Sequence, residues 1–288
     1  MQRNPPLLPG LRVSHGMLLG QTPDFSRQPL VPRDSGRVQV TSGDEQSGQQ
    51  AALLRRQQAI RSLIEFPYLD NYLRLSFIEW DHLKLTGSEQ ILFVGSGPFP
   101  LTAVVLNLIS RAAVLGRLEE FRSACHQTPM DTDTFCELVE NLLNPAHYTS
   151  AAGRLKIELL DRSREATSLA SQLLEILGLT EDLWTTCSLG EEVRMAPETS
   201  ILYLASMVAT KHEVISHLLK QAVQPLKILI RGVEPNSLKE LLYEPLSAET
   251  ISNIASHFPG FREIETYWPD NKSGVINSVH IFLYDFMQ

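Results

Sequence analysis

Hydrophobic positions along the chain fall into two periods. From Ala51 to about Leu85 they recur at helical spacing, broken near Phe66-Pro67, which predicts two helices joined at that proline. Continuous apolar runs follow. Gln90–Val94 reads as a buried parallel strand that feeds through Gly95-Ser96-Gly97 into a helix beginning within a few residues of Pro100. LKIELLD predicts a second strand ending at Asp161, and SREATSLASQLLEIL an amphipathic helix. Third, fourth and fifth strands are expected at Trp184–Leu189, Thr199–Ala205 and Leu226–Gly232, with the helix KHEVISHLLKQA between the last two. Two final β-rich runs, FREIETYW and VINSVHIFLYDF, flank Pro-Asp-Asn-Lys-Ser-Gly, turn chemistry for an antiparallel hairpin at one sheet edge.

Alternating strands and helices imply an α/β protein with a mostly parallel, doubly wound sheet covered on both faces. A terminal antiparallel hairpin on such a sheet resembles the class I methyltransferase fold. Before it stand an irregular arm rich in Pro, Gly, Ser and Gln over residues 1–48 and a helical segment over 49–88. The domain from 89 to 288 carries about forty extra residues, roughly Ala112 to Gly153, in which Thr134-x-x-Glu137 suggests a capping box that starts a helix. Such an insertion is either a lid over the strand C-termini or a structural elaboration.

Composition adds exclusions. Apolar residues make up 43% and charged residues 20%, with a net charge of −8 and no Lys/Arg cluster, which argues against a nucleic-acid partner. Cys125, Cys136 and Cys187 form no CxxC pattern and read as buried, reduced thiols. No apolar stretch approaches the ~20 residues that span a bilayer, and the proline-broken N-terminus lacks a signal-peptide core. A cytoplasmic protein acting on a small molecule, as a monomer or homodimer and without a membrane, is the expectation. Of the eight histidines only His212 and His217 lie close, five apart, so no metal is expected.

The glycine turn departs from a dinucleotide fingerprint, because Pro100 stands where the third glycine belongs and Pro98 removes a second backbone donor. A turn short of donors suits a nucleoside without phosphates such as S-adenosylmethionine (SAM). A dinucleotide site and a non-binding structural turn remain the alternatives. With the insertion set aside, Asp161 lies where an acidic residue would accept hydrogen bonds from ribose, with Arg162 beside it.

Several stretches together resemble the nicotianamine synthase family: FPYLDNYLRLSFIEW (Phe66–Trp80), FVGSGPFPLT (Phe93–Thr102), YLASMVATK (Tyr203–Lys211), ILIRGVEPNSLKELLYEP (Ile228–Pro245) and YWPDNKSGVINSV (Tyr267–Val279). The resemblance implies chemistry with the 3-amino-3-carboxypropyl arm of SAM, whose γ-carbon an amine attacks while methylthioadenosine leaves. Family members carry a substantial N-terminal helical domain that encloses the acceptor, and here an arm and a short helical stretch precede Phe66. That difference suggests one substrate, with the α-amine of SAM closing on its own γ-carbon to give azetidine-2-carboxylate. Transfer to a separate amine, as in nicotianamine or opine-metallophore synthesis, is the first alternative. Ordinary methyl transfer and non-catalytic SAM binding are the others.

On this resemblance Tyr68 and Tyr72 face either the sulfonium or the amino-acid arm, unless they are core aromatics. Asn71 binds the substrate carboxylate or caps a helix; Glu79 matches a family position but otherwise reads as a solvated helix face. Tyr203 and Ser206, at the end of the fourth strand, lie beside the reactive carbons or serve as strand core and helix cap. Arg231 pairs with the substrate carboxylate or with a structural partner. Gly95, Ser96, Gly97 and Pro98 cradle the nucleoside, and Cys187 and Ser188 approach the adenine.

Overall fold

The computed structural model describes residues 42–66, 69–126, 131–148, 154–232, 246–267 and 278–286. Tyr68, most of the N-terminal arm, parts of the insertion, the segment 233–245 after the fifth strand and the tip of the terminal hairpin lie outside the described residues.

Seven strands form one sheet in the order β3-β2-β1-β4-β5-β7-β6. The five strands β1 (Gln90–Val94), β2 (Lys156–Asp161), β3 (Leu183–Cys187), β4 (Ile201–Leu204) and β5 (Leu226–Arg231) run parallel. The pair β6 (Phe261–Tyr267) and β7 (Val279–Tyr284) is antiparallel, with β7 against β5, as the terminal runs predict. As the outer edge strand, β6 is exposed along Arg262–Thr266 and carries an irregularity between Glu263 and Glu265, both of which discourage edge-to-edge pairing. β3 and β4 depart most from their expected spans. β3 stops at Cys187 because the chain turns at Leu189, whose carbonyl accepts the N–H groups of Glu192 and Val193. β4 starts only at Ile201 because Thr199 closes a turn onto Ala196.

Alternation along the strands sorts side chains to two faces. Ile91, Phe93, Ile157, Leu159, Tyr203 and Leu229 join one core with α1 (Ser42–Ile64), α2 (Leu69–Leu83), α3 (Leu101–Val114), α4 (Leu118–His126) and α5 (Thr132–Leu143). Leu92, Val94, Leu160, Leu202, Leu204, Ile228 and Ile230 join the other, with α7 (Lys211–Leu219) and α8 (Ala248–His257). The break predicted at Phe66-Pro67 is the gap between α1 and α2. Helix α6 (Arg164–Leu177) is capped by Ser163 Oγ, which accepts from the Ala166 N–H, and ends at Gly178 with φ 71°.

The described part of the insertion is α4 and α5. Phe121 and Phe135 stack within this layer and Phe121 packs on Phe77 of α2, so its contacts are those of a helical layer on one side of the sheet. The proposed capping box is displaced: Asp131 caps α5, accepting from the Asp133 N–H and the Thr134 hydroxyl, and with the helix begun at Thr132 the side chain of Thr134 is a donor to that cap and not the cap itself.

Buried charge fastens this layer at the sheet edge opposite the glycine turn. Asp182, fully buried before β3, receives Arg111 Nη2 (2.7 Å), Lys156 Nζ (2.8 Å) and Arg154 Nη1 (3.3 Å). Arg111 also donates to Asn107 Oδ1 and to the Leu142 carbonyl at the end of α5, and both guanidiniums lie over the Tyr148 ring. Asp182→Ala would take the carboxylate from the buried Arg111 guanidinium and leave Arg154 only its contact to Glu181, and a loss of about 3–5 kcal/mol is expected in urea denaturation. A loss below about 1 kcal/mol would mean that water already screens the cluster.

Candidate functional site

The C-terminal ends of β1 to β5 converge on one edge, where open α/β sheets bind ligands. The glycine turn there is fully engaged with its own fold. The N–H groups of Gly95 and Ser96 both donate to the Leu160 carbonyl (2.8 and 3.2 Å), and the Gly97 N–H donates to Asp161 Oδ2 (2.9 Å). Pro98 and Pro100 have no N–H. From Gly95 to Pro98 no backbone donor is left for a phosphate. Gly95 is required on two counts: its φ is 81°, and a Cβ there would stand 2.9 Å from Val208 Cγ2. Ser96 Oγ is buried and has no hydrogen-bond partner among the described residues.

Beside the turn lies an open cleft, bounded by Gly95, Asp161, Arg162, Ser188, Glu191 and Met207 among others. Asp161 is half-buried there; its Oδ1 accepts the Ser163 N–H (2.9 Å), and each carboxylate oxygen keeps a further lone pair for a ligand hydroxyl. Met207 is 60% exposed at the mouth, an apolar surface opposite Leu189. Cys187, at the end of β3, is exposed, with Sγ 3.8 Å from the Arg162 carbonyl; the expectation of three buried thiols therefore fails for Cys187 and holds fully only for Cys125. Burial pushes the Cys125 thiol far above its ordinary range.

A second group lies on the α2 side of the sheet. Phe93 and Tyr203 are register partners on β1 and β4 and stack at 4.2 Å, which points the Tyr203 hydroxyl towards α2. It donates to Glu79 Oε1 (2.8 Å). Arg231, two residues after Leu229 and so on the same face as Tyr203, donates from Nε to Glu79 Oε1 (2.8 Å) and from Nη2 to Glu79 Oε2 (2.9 Å). Its Nη1 donates to Thr102 Oγ1 of α3 (3.1 Å). Glu79 and Tyr203 are completely buried, Thr102 and Arg231 nearly so. Burial would lower the Arg231 pKa, but the Glu79 carboxylate more than offsets that and holds it above its ordinary value. Burial, opposed by Arg231 and helped by Glu79, pushes the Tyr203 phenol well upward, so it remains a donor. The Arg231 guanidinium also lies 5.3 Å from the Tyr203 ring centroid and 5.8 Å from that of Tyr72.

Glu79 is thus no solvated helix residue. It falls seven residues after Tyr72, on one face of α2, between Ile78 and Trp80. The donors of Arg231 in this structure go to Glu79 and Thr102, the structural-partner alternative of its two readings. Asn71 is half-buried in the first turn of α2, inside the helix rather than at its cap. Ser206 supplies its carbonyl to Lys211 Nζ (2.9 Å), which also binds the Val208 carbonyl (2.8 Å) and so fixes the loop after β4. Lys211 was not expected; its one signal is a cation at the first residue of a helix, against the helix dipole. Phe66, Tyr72 and Phe99 form the last component, an aromatic row beside the turn. Among the described residues no three His, Cys, Asp or Glu are grouped to hold a metal ion, and no helix is long and apolar enough to cross a membrane.

This strand order, with its antiparallel β7 and a ligand cleft at the glycine turn, defines a class I methyltransferase-like α/β fold. A family model described as "Nicotianamine synthase protein" matches residues 40–284, and the chain belongs to the nicotianamine synthase family. It is 25% identical over 224 residues to a nicotianamine synthase of Solanum lycopersicum, covering 75% of this chain and 55% of that protein. The chain spans about half the length of the curated full-length relatives it matches over most of its own. Among solved structures, a glutamate-to-glutamine variant of MtNAS in complex with S-adenosylmethionine superposes with a TM-score of 0.53 at 17% identity, over 84% of this chain and 75% of that one. MtNAS in complex with MTA and tNA gives a TM-score of 0.50 at 17% identity, over 83% and 72%.

Proposed function

We propose that the protein binds SAM at the glycine turn and uses its 3-amino-3-carboxypropyl arm, releasing methylthioadenosine and closing the arm to azetidine-2-carboxylate. The observation that carries the reading is the spent turn: with the N–H groups of Gly95, Ser96 and Gly97 committed and Pro98 lacking one, it suits a nucleoside and has no backbone donor from Gly95 to Pro98 for a pyrophosphate. Asp161 takes the ribose hydroxyls, Ser188 and Arg162 border the base, and Ser96 Oγ has its hydrogen bond still to make. Membership of the family, and a relative solved with SAM, support the choice of nucleoside.

In the reaction the arm's neutral α-amine attacks Cγ. The N–C bond forms as the C–S bond breaks, the electron pair goes to sulfur, and neutral methylthioadenosine leaves. The ammonium form must first give up one proton. Tyr203, held protonated, is unsuited to take it, whereas Glu79 Oε2 accepts only one of the described hydrogen bonds and can share it. Tyr72, with Tyr68 four residues before it in sequence, offers an aromatic face to the sulfonium at roughly 0.5–2 kcal/mol. Closure is favoured because the nucleophile is carried on the same arm, so positioning replaces a bimolecular encounter.

The second reading is transfer of the arm to a separate amine, which the family assignment favours. Incubating the purified protein with SAM alone and analysing products by mass spectrometry separates the two. Equal amounts of methylthioadenosine and azetidine-2-carboxylate are expected. Methylthioadenosine that appears only with an added amine would establish transfer; S-adenosylhomocysteine would overturn both.

A further inference from the structure

Phe99 stands between Pro98 and Pro100, so both flanking φ angles are fixed and the backbone that carries the ring is stiffened. It is half-buried and stacks on Phe66, from the end of α1, at 5.3 Å and 27°. Phe66 in turn meets the Tyr72 ring edge-on at 6.0 Å and 71°. Tyr72 lies beneath the Arg231 guanidinium, which holds Glu79. The three rings therefore form one continuous wall from the glycine turn to the buried charged group, with Phe99 at the nucleoside end.

Resting on the SAM reading above, we propose that Phe99, backed by Phe66, is the specificity-determining residue that restricts the γ-carbon to the amine carried by its own arm. Phe99 rides on the turn that fixes the nucleoside, so its distance from the sulfonium is set by backbone and not by a mobile loop. An incoming amine or water must approach the γ-carbon from outside the nucleoside, and a stacked aromatic wall offers it no hydrogen-bond partner while stripping its hydration. The intramolecular amine needs no such approach, because it arrives with the arm.

The test is the partition of products per methylthioadenosine released, for the wild type, Phe99→Ala and Phe66→Leu, with SAM alone and with SAM plus alanine. Counting per methylthioadenosine removes any change in overall rate. Phe99→Ala should raise the share of homoserine and of the alanine adduct on the order of 10-fold, the scale on which opening a small apolar volume alters discrimination. Phe66→Leu, which withdraws the backing ring without touching the turn, should shift the partition the same way and less. It also decides the matter if Phe99→Ala does not fold. An unchanged partition in the folded variants overturns the inference and leaves the SAM reading intact. Transfer to alanine by the wild type as readily as ring closure overturns it too, again with methylthioadenosine still produced. A wild type that releases no methylthioadenosine under either condition removes the SAM reading, and the inference with it.

Discussion

Replacing Glu79 by alanine is expected to cost about 3–5 kcal/mol in folding stability, because it strands a guanidinium that is almost wholly buried. Against a typical total of about 5–15 kcal/mol this is a large share, worth a fall in Tm on the order of 10 °C for a domain of this size. The carboxylate serves Tyr203 and both Nε and Nη2 of Arg231, so three donors lose their acceptor in one step. Glu79→Gln keeps the volume and one oxygen acceptor, and should fall between alanine and the wild type. The pair Glu79→Leu with Arg231→Met removes both charges, and should recover most of the loss while abolishing turnover. That combination distinguishes a structural pair from a catalytic one: stability returns in the double variant, and methylthioadenosine release does not. Urea denaturation of the wild type, Glu79→Leu, Arg231→Met and the double variant, read as a double-mutant cycle, is the measurement, with Glu79→Ala and Glu79→Gln alongside. Costs under about 1 kcal/mol for Glu79→Ala would mean that the pair is hydrated and weak.

How much of this was legible in the chain depends on the range of the interaction. Gln90–Val94, the strand ending at Asp161 and the terminal hairpin could be read directly, since continuous apolar runs and turn residues are local signals. The meeting of the glycine turn with Asp161, 64 residues beyond Gly97, was readable because βα units place consecutive strand ends together. The Glu79–Arg231 pair was not, although each residue stood out separately. A helical glutamate reads as solvated until its partner is known, and here the partner lies 152 residues away on a central strand. Local rules also misplaced a cap, since Thr134 has the right spacing to Glu137 but Asp131 is the stronger acceptor. Phe99 escaped notice for a related reason: between two prolines it has no period to betray it, and its role depends on Phe66, in the gap between α1 and α2.

Asp161 carries the other large expectation, this time on the ligand. Its carboxylate holds the Gly97 N–H on one oxygen and the Ser163 N–H on the other, and under the proposed reading its remaining lone pairs accept the two ribose hydroxyls. Hydrogen bonds to a charged group contribute about 1.5–3 kcal/mol each, so Asp161→Ala should weaken SAM and methylthioadenosine binding on the order of 100-fold in calorimetric titration. Stability should suffer far less, by about 1–2 kcal/mol, because Ser163 is exposed and Gly97 only half-buried, and water can replace the lost acceptor. Loss of the turn's anchor alone could also weaken binding, so the ligand must be varied along with the protein. Wild-type protein should bind 2′,3′-dideoxy-methylthioadenosine far more weakly than methylthioadenosine, and Asp161→Ala should bind the two nearly alike. If the dideoxy ligand loses as much in the variant as in the wild type, the ribose is held elsewhere and Asp161 only braces the turn.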